Sequence, residues 1–118
     1  MDRHAAKMER LETRYRESRV GMIRNYTDWL QGQPTDAQLG DWRSVLQGMG
    51  TSSKEAKRGA GAYRESVREL RRQNISRPMN QATDRLVAAL TKLIENIAAT
   101  ERFCKERLAA LSNVRSEG

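Results

Sequence analysis

Between Lys54 and Arg77 the chain places eight of its 22 basic side chains within 24 residues, against three acids, Glu55, Glu65 and Glu69. Written as a helix, Lys57, Arg64, Arg68, Arg71 and Arg72 return to one side of a 3.6-residue turn, while Ala56, Ala60, Tyr63, Val67 and Leu70 return to another. One face can bury and the other can meet an anion. Lys54 and Arg58 extend the basic set toward the start of the segment. Arginine outnumbers lysine 17 to 5 in the whole chain, and a guanidinium suits bidentate contact with phosphate or carboxylate. The excess is local: residues 51–77 carry +5 (eight basic, three acidic), out of a total of +7.

Other chemistries lack their residues. One Cys and one His cannot assemble a Cys/His zinc cage or an intramolecular disulfide, so no metal and no cofactor are expected. Cys104 lies in an apolar helical pattern and reads as a small buried hydrophobe of a reducing compartment. His4 stands among charged residues near a terminus and reads as solvated. Asp36 with Asp41, and Glu101 with Glu106, have no second catalytic residue type beside them. The stretch from Arg58 to Tyr63 contains Gly59 and Gly61, but it lacks the third glycine of a dinucleotide loop and does not follow a strand pattern. An enzyme is therefore not expected.

No apolar run exceeds the five residues Leu86–Leu90, far short of the roughly 20 needed to cross a bilayer. The N-terminal residues show no apolar core of a secretory signal, so a cytoplasmic protein is expected. Glu9, Glu12 and Glu17 make residues 1–31 an unpromising surface helix for anionic lipid.

Positioning the basic row falls to helices, because strand signals are nearly absent. A single all-α domain is expected, an elongated bundle of three to four helices over about 2–31, 36–48, 53–74 and 79–114. The first carries Met8, Leu11, Tyr15, Met22, Tyr26 and Trp29 as one stripe. Gly32-Gln33-Pro34 stops it, and Thr35 with Gln38 forms a capping box for the next segment. That second segment buries Leu39, Trp42, Leu46 and Met49, and is expected to end at Gly48 and Gly50. Ser52 with Glu55 caps the third, and Ser76-Arg77-Pro78 breaks the chain again. Gly59 and Gly61 mark a hinge or a close packing contact, each at a cost of about 1 kcal/mol relative to alanine.

The last segment has the densest apolar content. A heptad frame through positions 79, 83, 86, 90, 93, 97, 100, 104, 107, 111 and 114 is apolar as far as Ile97 except at Thr83, and is then interrupted at Thr100 and Arg107. The expected arrangement is a long C-terminal helix, packed in its middle and overhanging past about Ala99. Phe103, Leu108, Leu111 and Val114 would be exposed there as a protein interface, with a coiled-coil-like oligomer as one outcome.

Two functional readings follow. The first is a non-enzymatic helical interaction or assembly protein, an adaptor, chaperone or small structural subunit, with a protein partner or itself as a homo-oligomer. It would use the C-terminal helix and the basic stripe. The alternative is a nucleic-acid-binding accessory protein that contacts phosphates through Lys57, Arg64, Arg68 and Arg71. A helix-turn-helix can be drawn with Ser53, Lys54, Lys57 and Arg58 at the start of the reading helix, but the glycines beside them suit a rigid reader poorly.

Overall fold

A computed structural model gives the backbone of residues 2–32, 34–73 and 76–117, with side chains described except at 26–30 and 112–117. Three helices account for nearly all of it: α1 (Asp2–Gln31), α2 (Asp36–Arg72) and α3 (Arg77–Glu117). The molecule measures 63 × 20 × 15 Å with a radius of gyration of 18.4 Å, against about 13.5 Å for a compact domain of this length. The long dimension is that of α3 itself, whose 41 residues span about 62 Å at 1.5 Å each.

The expected capping box starts α2. Gln38 N–H donates to Thr35 Oγ1 at 3.2 Å, and Thr35 N–H donates to Gln38 Oε1 at 2.9 Å. The expected stop at Gly48 and Gly50 does not occur, so the second and third segments are one 37-residue helix and no fourth helix is present among the described residues. Packing outweighs local propensity here. Two glycines cost about 1 kcal/mol each, but continuing the helix keeps Leu46 fully buried and Met49 and Ala56 half-buried on one side, and each large apolar side chain buried contributes about 1.5–3 kcal/mol. A Cβ added at Gly50 would lie 3.7 Å from the Cβ of Cys104, so this turn of α2 lies directly against α3. Ser52 and Glu55 are consequently exposed mid-helix residues with no cap to make.

The second surprise has the same cause. Because α2 continues, its first half lies beside the end of α3 and covers it. On α3 the frame positions Thr83, Leu86, Leu90, Leu93, Ile97, Thr100, Cys104 and Leu111 are all buried. Both threonines stay in the core by donating their hydroxyls back into the helix, Thr83 to Asn80 O at 2.8 Å and Thr100 to Asn96 O at 3.1 Å. From Thr83 to Cys104 the heptad seam is therefore covered within the chain, while Met79 at its start is exposed.

Two apolar clusters result. One gathers Ala5, Val67, Leu86, Ala89, Leu90, Leu93 and Ile97, with Met8, Leu11 and Tyr15 of α1 and Ala56 and Ala60 of α2 against it. The other gathers Leu46, Phe103, Cys104 and Leu111, with Met22, Leu39, Trp42, Met49 and Leu108. All three helices contribute to both clusters, and α3 supplies most of their buried residues. Helices α1 and α2 each pack on α3, while among the described residues no Cα of one lies within 8 Å of a Cα of the other. The bundle is thus an open V in cross-section with α3 at the vertex.

Candidate functional site

The stripe on α2 reaches chiefly toward α3 and toward its own acids. Lys57 Nζ lies 2.7 Å from Glu101 Oε2, Arg64 Nη1 donates to Thr91 Oγ1 at 3.3 Å, and Arg71 Nε donates to Asp84 Oδ1 at 2.9 Å. These three cations are spaced by seven residues, and their partners descend along α3, as antiparallel helices require. Arg68 pairs with Glu65 at 2.8 Å and Arg72 with Glu69 at 2.8 Å, each one turn back along α2. The acids interleaved in the sequence thus hold the outer two arginines, and α3 holds the inner three cations. Lys54 and Arg58 remain exposed.

Lysines converge at one point. Lys54, Lys57 and Lys105 surround Glu101, and the hydrogen bond from Lys57 holds its carboxyl below the usual range. Burial pushes the other way, and the fields of Lys54 and Lys105 add to the lowering. The shallow depression here, about 310 Å³, is also lined by Gln47, Gly50, Thr51 and Leu108. The Glu101 carboxylate already occupies the place an anion would take.

The C-terminal surface expected at Phe103, Leu108, Leu111 and Val114 is largely covered by the chain itself. Phe103 and Leu111 are buried, Leu108 packs half-buried on the same cluster, and the Val114 side chain lies outside the described residues. Arg107, on the seam at the expected interruption, stacks over the Phe103 ring at 5.3 Å from its centroid. The expected overhang is corrected by the continuity of α2, which brings Leu46, Trp42 and Leu39 to this end of α3. Cys104 is buried beside them, and burial pushes its thiol pKa up, so it is a packing residue and not an activated nucleophile.

An open apolar groove runs instead between α1 and α2. Its walls are Met8, Leu11 and Tyr15 on one side and Ala56, Gly59, Ala60 and Tyr63 on the other, over a floor of Leu90, Leu93 and Ile97. This part encloses about 260 Å³. A second part of about 190 Å³ shares Leu11 and Tyr15 and continues past Arg14 and Ser18 to Met49 and Thr100. From Tyr63 to Met49 the groove follows α2 for about 21 Å. The small residues Ala56, Gly59 and Ala60 keep it open: a Cβ placed at Gly59 would meet no atom within 4 Å.

No protein-family model, curated protein or solved structure matches this chain. The groove must therefore be interpreted from its own chemistry.

That chemistry is set by how α1 sorts its charges. Asp2 and Glu9 turn to Arg85 of α3, at 3.5 and 3.3 Å. Glu12 accepts from Asn96 Nδ2 at 2.8 Å and from Arg16 at 3.3 Å, while Arg19 donates to Asn96 O and Oδ1, both at 3.0 Å. The acids that make the polar face of α1 look acidic in sequence are, except for Glu17, directed at α3. Arg3, Lys7, Arg10 and Arg14, spaced four, three and four residues apart, share one side of α1; Arg14 lines the groove, and Arg10 and Arg14 also line a depression of α1 with Ala6, Glu9 and Thr13. All four are exposed and have no ion-pair partner among the described residues. Sequence reasoning placed Met8, Leu11, Tyr15 and Met22 of the α1 stripe, with the side chains of Tyr26 and Trp29 outside the described residues, but missed this row. The signal that finds it is the i, i+4, i+7, i+11 spacing of four cations.

Among the described residues no group of three metal-ligating side chains is present, and no helix is long and apolar enough to cross a membrane.

Proposed function

We propose that this protein is a non-enzymatic helical interaction module that takes part in assembly by receiving a helix of another protein in the groove between α1 and α2. The observation that carries the reading is that groove: two long helices lean on a third with their Cα traces more than 8 Å apart among the described residues, and leave half-exposed Met8, Leu11, Tyr15, Ala56 and Ala60 lining an apolar channel. A fourth helix laid there would convert the open V into a four-helix bundle, the usual way such faces are closed. Apolar anchors at one-turn spacing match the helix-in-groove mode of recognition. The buried, unactivated thiol suits a reducing, cytoplasmic setting.

Self-association through Phe103 and Leu111 loses its support, because both already pack within the chain. The nucleic-acid reading rests on one observation, the exposed cations Arg3, Lys7, Arg10 and Arg14 on a single side of α1. It draws little from Lys57, Arg64, Arg68 and Arg71, which are engaged internally.

A displayed library of random amphipathic helices tests the proposal. Enrichment of sequences with apolar residues at i, i+3, i+4 and i+7 is expected, with their capture lost on Gly59→Phe. No enrichment, together with steeply salt-dependent binding of duplex DNA, would replace this reading with the nucleic-acid one.

A further inference from the structure

Building on the groove reading, we infer that the occupant is an amphipathic helix whose flank toward α1 is acidic. The two rims of the groove are unlike. On the α2 side stand Ser52, Glu55, Gly59 and Ser66, which carry little charge and little bulk. On the α1 side stand Arg3, Lys7, Arg10 and Arg14, exposed and unpaired among the described residues, with Arg14 itself lining the groove. Glu17 follows one turn further on, and Glu9, paired with Arg85, lines the same depression as Arg10 and Arg14.

The row covers residues 3–14 of α1, about 17 Å of helix, and overlaps the channel, whose α1 wall runs from Met8 to Ser18. A docked helix that runs on past Met8 toward the start of α1 meets apolar contact beneath it and four cations along one flank, at the spacing that glutamates at i, i+4, i+7 and i+11 would complement. The same row repels a second copy of this chain, which carries a net charge of +7, so the face selects a foreign acidic helix over itself. The floor leucines and Ile97 are themselves buried. The occupant rests on Met8, Leu11, Tyr15 and Tyr63, so affinity depends on the walls and direction depends on the rim.

Three labelled peptides of roughly 21 residues, with one apolar stripe in common and flanks of Glu, Gln or Lys, provide the test by fluorescence anisotropy. The Glu peptide is expected to bind about tenfold tighter than the Gln peptide in low salt, from four exposed ion pairs of ordinary strength. The Lys peptide is expected to bind weakest. Added salt should erase the differences, and so should the combined change Lys7→Gln, Arg10→Gln and Arg14→Gln. Equal binding of the Glu and Gln peptides would overturn the acidic partner and leave the groove reading standing. Failure of all three peptides to bind, or binding unaffected by both Gly59→Phe and Tyr63→Glu, would overturn both. Tyr63→Glu alters an exposed wall residue, so it serves if Gly59→Phe does not fold. Duplex DNA that outcompetes the Glu peptide for the same cations would assign the row to nucleic acid and overturn the proposal.

Discussion

Lys57, Arg64 and Arg71 on α2 reach across to partners on α3, whereas Arg3, Lys7, Arg10 and Arg14 on α1 extend beside an apolar groove with no partner among the described residues. The two rows are alike in residue type and helical spacing. They differ in what the neighbouring helix offers. Helix α3 presents Asp84, Thr91 and Glu101 on the flank facing α2. Its flank facing α1 presents Arg85 and Asn96, which bind acids of α1 and leave Arg3, Lys7, Arg10 and Arg14 without a partner among the described residues. Charge density alone thus measures how many cations a segment has, and the partners across the interface decide how many remain available.

Reversing each row should separate the two roles. The largest effect expected is on stability: Lys57→Glu, Arg64→Glu and Arg71→Glu together set like charges against Glu101 and Asp84, and should cost about 1–3 kcal/mol in denaturant unfolding. The matching reversal of Lys7, Arg10 and Arg14 should stay within about 0.5 kcal/mol per site, as surface changes without a partner do. A larger loss from the α1 set would show that those cations are engaged after all.

Next in size are the glycines of α2. A Cβ at Gly48 or Gly61 meets nothing within 4 Å, so Gly48→Ala and Gly61→Ala should each raise stability by about 0.5–1 kcal/mol. Destabilisation by either would mean that the helix is broken there.

Smaller still is the pH dependence of the Lys57 contact. Its hydrogen bond depresses the folded-state pKa of Glu101. The contribution is therefore present above the unfolded carboxylate pKa and lost as pH falls through the folded value. Lys57→Met should lower stability at neutral pH, and this difference from wild type should vanish once Glu101 is protonated. A difference that persists in acid would locate the role of Lys57 in packing. The smallest perturbation is chemical: Cys104 should react with a thiol reagent only at the rate of local opening, since it is buried and its pKa is raised. Rapid labelling would contradict the covered α3 terminus.

The periodicity of α1 over residues 8–22 and of α3, the Thr35 cap and a break between α2 and α3 were legible in the sequence because each depends on residues within a turn or two, although Arg77, expected outside the helix as the residue before Pro78, is the first residue of α3. The continuity of α2 was not. Gly48 and Gly50 are local stop signals, and what overrides them is contact with Cys104 and Leu111, more than 50 positions away. The same distant contact hides Phe103 and Leu111. For the site, the arginines of the α2 stripe were legible as cations and their partners were not, since Asp84 and Glu101 become neighbours only when α3 folds back. The α1 row was legible in principle from spacing alone, but Glu9 and Glu12 masked it until Arg85 and Asn96 drew them aside.

One pair of variants with equal net charge tests the account most directly. Arg64→Gln, Arg68→Gln and Arg71→Gln remove three charges from α2, and Lys7→Gln, Arg10→Gln and Arg14→Gln remove three from α1. Titrating both with the same acidic amphipathic helix should show wild-type affinity for the α2 variant and about a tenfold loss for the α1 variant. Loss confined to the α2 variant would place the available charge where the fold has already paired it, and would contradict the account.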